Sequence, residues 1–131
     1  MLQIIDLSYN VFSLRKDTRM SKTNVGFIGL GNIGAPMARN LIGDAFDAWM
    51  YDVSEKALAA LVALGARAAT PAEIARNCPL IGICVRDDKD VDALFYGDEG
   101  MLAHAGADTI IAIHSTVTQA GLARWARDAA A

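Results

Sequence analysis

Cysteine, histidine and excess positive charge are all scarce in this chain, and each scarcity removes a class of function. The two cysteines, Cys78 and Cys84, form no Cys-x-x-Cys pair and match no metal-ligand spacing; Cys84, inside an apolar run, reads as packing. Of the two histidines, His104 sits between Ala103 and Ala105 without Cys, His or acidic partners at ligand spacing. No metal site is expected. Lysine and arginine total 12 against 15 acidic residues, a net charge of −3, and the basic residues are scattered, which argues against a nucleic-acid partner. No apolar run approaches the ~20 residues that cross a bilayer, so no membrane partner is expected and the cytoplasm is the expected compartment.

What is present describes one globular domain. The chain has 131 residues, 53% hydrophobic and 21% charged, enough for a real core but not for two full domains. Residues 1–22 stand apart as a leader with no clear period. Asp6 interrupts the apolar stretch, and Arg15, Lys16 and Arg19 lie behind it, the wrong order for a secretory signal; an organelle transit peptide is the lesser alternative. This segment is expected to be poorly ordered, with Met20 as an alternative start. The domain proper spans residues 23–131.

The most informative stretch is Asn24 to Gly34, an apolar run that breaks into Gly29-Leu30-Gly31-Asn32-Ile33-Gly34 and then a helix-like segment over 35–42. This is the glycine pattern of a dinucleotide-binding turn. Gly29 permits the tight turn, Gly31 lets backbone approach a pyrophosphate, and Gly34 lets the helix pack close to the sheet. The phosphates would rest on the helix N-terminus, where free amides and the helix dipole favour an anion. A second apolar segment, Phe46 to Tyr51, ends at Asp52, about 20 residues after the motif, where a carboxylate can accept the adenosine ribose hydroxyls and repel a 2′-phosphate. NAD is favoured, with NADP as the lesser alternative. The competing reading has Asp52 only capping a helix that begins near Ser54.

Apolar strand-like runs then alternate with alanine-rich helical ones. A helix over 54–64 is capped by Ser54 and stopped by Gly65, with Leu58, Leu61, Val62 and either Ala57 or Leu64 facing inward. After a short strand at 67–69, Thr70-Pro71-Ala72-Glu73 has the form of a capping box with proline at the first helical position. Strand 80–85, apolar throughout as for a parallel strand covered on both faces, helix 89–95, loop or frayed helix 97–106, strand 109–113 and helix 118–129 complete the pattern. The fold class is α/β, a doubly wound parallel sheet of Rossmann type in the order 3-2-1-4-5, stopping before a sixth strand. Ligands in such sheets bind at the carboxyl ends of the strands. That rule brings together the glycine loop, Asp52, Val85-Arg86 and His114-Ser115-Thr116.

Val25 to Leu41, with Pro36, Met37, Ala38 and Asn40 adding specificity to the glycines, resembles the opening motif of the β-hydroxyacid dehydrogenase family. That family includes 3-hydroxyisobutyrate and tartronate semialdehyde dehydrogenases and is related to 6-phosphogluconate dehydrogenase. Leu80 to Phe95 resembles a second family segment, and Ile113 to Gln119 a third, usually Asp-x-Ser-Thr-x-Ser-Pro. The resemblance covers about residues 23–131. It implies Ser115 at the substrate carboxylate and Thr116 beside the nicotinamide half of the cofactor, with Val85 and Arg86 in a loop that brings a positive charge near the cofactor. The plainer alternatives are that Ser115 and Thr116 cap the last helix and that Arg86, where the family commonly has proline, is a solvated partner of Asp87 or Asp88. Ile113 and Gln119 replace the family's aspartate and proline.

Relatives of this kind continue through a sixth strand, a helix with the catalytic lysine and a helical second domain. None of the lysines here, Lys16, Lys22, Lys56 and Lys89, lies in a matching segment, so no catalytic residue is assigned, His114 included. The expected function is the NAD(P)-binding domain of a truncated or split oxidoreductase of 3-hydroxy acids, completed by a helical domain, a second copy or a separate catalytic chain. The alternative is a non-catalytic nucleotide-binding or interaction module. A methyltransferase shares the glycine loop and acid, but Pro36-Met37 and Ser115-Thr116 argue against it.

Overall fold

The computed structural model describes residues 22–131, and the reading of the preceding segment as a leader lies outside the described residues. Strands β1 (Thr23–Ile28), β2 (Phe46–Tyr51), β3 (Arg67–Ala68), β4 (Leu80–Ile83) and β5 (Ile110–Ile113) form one parallel sheet. Its order, β3-β2-β1-β4-β5, is the one expected from the alternating pattern. Between and after the strands lie α1 (Gly34–Arg39), α2 (Glu55–Val62), α3 (Pro71–Asn77), α4 (Asp88–Phe95), α5 (Met101–His104) and α6 (Gln119–Ala130).

Strand alternation sends side chains to two cores. Val25 and Phe27 of β1, with Ala48 and Met50 of β2, pack under Ala38 of α1 and Leu61 of α2. Ile28, Ile81 and Ile83 face the other way, against Ile74 of α3, Val91 and Phe95 of α4, Met101 of α5 and Trp125 of α6. Phe95 meets the Trp125 ring edge-on at 6.1 Å. Right-handed crossovers require this division, because the chain reverses its direction of travel across the sheet between β3 and β4.

Local chemistry sets the helix starts. Thr70 accepts the Glu73 amide at 3.2 Å while Glu73 accepts the Thr70 amide at 2.8 Å, the reciprocal capping box. Ser54 caps α2 through the Ala57 amide. Three expectations need correction. Helix α1 stops at Arg39 because the next amides bond back three residues, Asn40 to Met37 and Leu41 to Ala38, tightening the last turn. Val62 and Leu64 are 40% and 51% exposed, since α2 ends at Val62 and turns away at Gly65. Among the described residues strand β4 is not covered on both faces: on the α1 side Leu80 and Gly82, with Ala112 of β5, floor an open apolar groove of about 350 Å³.

Candidate functional site

The carboxyl ends of β1, β2, β4 and β5 open into a cleft of about 810 Å³. Four of the expected segments meet there: the glycine turn, Asp52, Val85-Arg86 and His114 to Thr116. Leu30 is the exception, its side chain buried under α1 and α2, so that only its backbone serves the loop.

The glycine turn is built by contact. Gly29 adopts φ +96, and a Cβ there would strike the Cys84 carbonyl. A Cβ on Gly34 would strike the Gly29 carbonyl, so the start of α1 closes directly onto the turn. Gly31 differs, because a Cβ there would meet nothing within 4 Å. Among the described residues nothing requires glycine at 31, which lines the cleft. Among the described residues the amides of Gly31, Asn32 and Ile33 have no hydrogen-bond acceptor.

Asp52 is held at both oxygens. The Leu30 amide donates to Oδ2 at 2.7 Å and the Ser54 amide to Oδ1 at 2.7 Å. Capping α2 falls to the Ser54 hydroxyl, which leaves Asp52 to join the end of β2 to the glycine turn. Val53 beside it is 87% exposed, and Arg86 is the one cationic side chain among the described lining residues.

Arg86 pairs with neither Asp87 nor Asp88. Its Nε and Nη2 donate to Asp90 at 2.9 and 3.2 Å, and that bond holds the Asp90 carboxyl below the ordinary carboxylate range. The guanidinium is 87% exposed, so the pair adds little stability. Asp87 caps α4 through the Asp90 amide. Ser115 does not cap the last helix either: its Oγ accepts the Val85 amide at 2.8 Å, and Thr118 caps α6. His114 stacks on Phe27 at 6.1 Å and borders both the cleft and the open groove.

Cys84 and Asp90 also line the cleft, and both were missed from sequence. The i,i+4 spacing of Arg86 and Asp90 could have signalled the second. Among the described residues, no cluster of three or more His, Cys, Asp or Glu could hold a metal. No helix among them is long and apolar enough to cross a membrane.

A parallel sheet of this order, a glycine turn at the end of β1 and an acid at the end of β2 define a dinucleotide-binding domain. Residues 24–131 match the family described as the NAD binding domain of 6-phosphogluconate dehydrogenase, and the chain belongs to that family. It is an NAD(P)-binding domain. The NAD-dependent L-serine dehydrogenase of Pseudomonas aeruginosa is 35% identical over 94 residues, 71% of this chain and 32% of that protein. The 3-hydroxyisobutyrate dehydrogenase of the same organism is 31% identical over 110 residues, 83% of this chain and 37% of that protein. An oxidoreductase structure from Mycobacterium avium superposes with a TM-score of 0.71 at 38% identity, covering 79% of this chain and 36% of that one. The chain thus spans about a third of the length of the relatives it matches.

Proposed function

We propose that this chain binds NAD in the cleft, in preference to NADP, as the cofactor-binding part of a cytoplasmic oxidoreductase acting on the CH–OH group of a 3-hydroxy acid. The observation that supports the reading best is Asp52, whose carboxylate is fixed by two amides beside the glycine turn. Held there, each oxygen keeps a lone pair for a ribose hydroxyl, and the negative charge opposes a 2′-phosphate. Gly31 fits the same reading, because its empty Cβ position leaves room for a pyrophosphate against the unpaired amides of Gly31, Asn32 and Ile33.

NAD, when bound, supplies the hydride chemistry. The chain's own residues bind and orient: Val85, Arg86 and Thr116 border the nicotinamide half, and Ser115 lies toward the substrate carboxylate. Both Pseudomonas relatives are named for acids with a hydroxyl on C3, which supports the substrate class. No lysine borders the cleft among the described residues; on this reading the proton-transfer group comes from further chain, a second copy or a separate catalytic chain. Calorimetric titration should give micromolar NADH binding and NADPH weaker by roughly tenfold or more, as repulsion of a single phosphate warrants. Equal affinities would refute the preference for NAD.

Among the described residues the β5 flank of the sheet is open, which favours a second reading, a non-catalytic module acting through protein contacts. Strand β5 offers Ile110-Ile111-Ala112-Ile113 with no charge or proline to guard its outer edge, and Ile110 is 63% exposed. On this reading Ile110→Lys abolishes self-association or partner capture while NADH binding persists. Hydride transfer to NAD from L-serine or 3-hydroxyisobutyrate by the chain alone would exclude it.

A further inference from the structure

The loops after β4 and β5 run side by side and are tied at two points. The Val85 amide donates to Ser115 Oγ at 2.8 Å. Further along, the Asp88 carboxylate accepts the Thr118 amide at 3.0 Å and also the Thr118 hydroxyl. Both ties join residues 30 positions apart, so the loops are in register, with Arg86 and Thr116 between two fixed rungs.

The second rung is anchored in both helices. Asp88 opens α4, and Thr118 Oγ1 accepts the Gly121 amide at 3.0 Å, so one hydroxyl couples the first turns of α4 and α6. A Cβ on Gly121 would strike the Asp88 carboxylate and come within 2.9 Å of the Trp125 ring; glycine lets α6 seat against that carboxylate. The Thr118 hydroxyl also holds the Asp88 carboxyl below the ordinary carboxylate range. One helical turn on, Asp92 accepts from Arg124 at 2.6 Å and from Trp125 Nε1 at 2.7 Å, a separate tie between the same helices.

We propose that Asp88 is a positioning residue for the nicotinamide end of the cleft. It is not among the cleft's lining residues and acts through Thr118, holding residues 115–117 against residues 85–87. This rests on the assignment of Thr116, Val85 and Arg86 to the nicotinamide half. Removing the carboxylate leaves every group that faces the cofactor in the sequence but frees the loop that aligns them, which lowers affinity through misplacement.

The test compares NADH with ADP-ribose, which shares the adenosine and pyrophosphate but has no nicotinamide. Both are titrated into the wild type, Asp88→Ala, Thr118→Val and, as a control, Asp92→Ala, with thermal melts of each. In Asp88→Ala and Thr118→Val, NADH affinity should fall about tenfold while ADP-ribose affinity changes less than about twofold. Asp92→Ala should lower the Tm without changing the ratio of the two affinities. Equal losses of both ligands, or unchanged NADH affinity in a folded variant, would overturn the proposal; if Asp88→Ala does not fold, Thr118→Val decides. A wild type that binds ADP-ribose as tightly as NADH would remove the nicotinamide assignment, and the proposal with it. A wild type that binds neither would refute the cofactor reading itself.

Discussion

The Leu30 amide donates to Asp52 Oδ2 at 2.7 Å, joining the second residue of the glycine turn to the end of the neighbouring strand. One carboxylate therefore shapes the turn and faces the cleft. Asp52→Ala leaves the Leu30 and Ser54 amides without their acceptor, and should cost about 1–2 kcal/mol of stability by urea unfolding. Asp52→Asn, which keeps one acceptor oxygen, should recover part of that loss. Indistinguishable midpoints for all three proteins would remove the structural half of the account.

Gly31 and Gly34 belong to one motif but should respond differently to the same substitution. Gly34→Ala drives a Cβ into the Gly29 carbonyl and should destabilise the fold by about 1–3 kcal/mol. Gly31→Ala meets no atom of the described residues within 4 Å and should leave the Tm nearly unchanged, yet abolish NADH binding by filling the space above the backbone. Paired melts and titrations decide. A Gly31→Ala protein that binds NADH normally would contradict the pyrophosphate assignment.

Stability should fall at both extremes of pH, and part of each fall belongs to one hydrogen bond. Tyr96 donates to Asp128 at 2.6 Å; the bond lowers the Asp128 carboxyl from its ordinary value of 3.8 and raises the Tyr96 phenol from 10.0. A depressed carboxylate contributes stability that is complete above its unfolded pKa and is lost as pH falls through the folded one; Asp88 acts in the same direction. The raised phenol contributes below its unfolded pKa and loses that contribution as pH climbs through the folded one. Melting temperatures should hold steady through neutrality, then drop below about pH 4 and above about pH 10. Tyr96→Phe should flatten both limbs.

The two thiols should differ in reactivity. Burial pushes the Cys78 thiol up to about 12, and only 2% of that residue is exposed, whereas Cys84 is partly exposed at the cleft wall. Iodoacetamide at pH 8 followed by peptide mass spectrometry should label Cys84 and spare Cys78, with NADH slowing the reaction. Labelling of Cys78 in folded protein would show that the core around α3 opens.

The features legible in the sequence were those encoded over a few residues. The glycine turn, the Thr70 capping box and the strand ending at Asp52 each announce themselves within a short window, and their alternation yields the sheet order. Contacts between distant segments left no such mark. Arg86 was matched with its nearest acids, but Asp87 is engaged in capping α4 and Asp88 in holding Thr118, which leaves Asp90 as the partner. The cap of α6 was equally hidden, because Ser115 is drawn to Val85 across the strand ends. Helix α5 falls inside the stretch 97–106, where the glycines leave loop and frayed helix equally open; what fixes the helix is Met101, which is fully buried.

The central claim is that this cleft holds NAD through the glycine turn and Asp52. Isothermal titration of NADH into the wild type and Asp52→Ala tests it most directly. The account predicts micromolar binding to the wild type and a loss of at least about tenfold in the variant, the scale of one charge-assisted hydrogen bond. Folded wild type that takes up no NADH, or equal affinity in the two proteins, would contradict it.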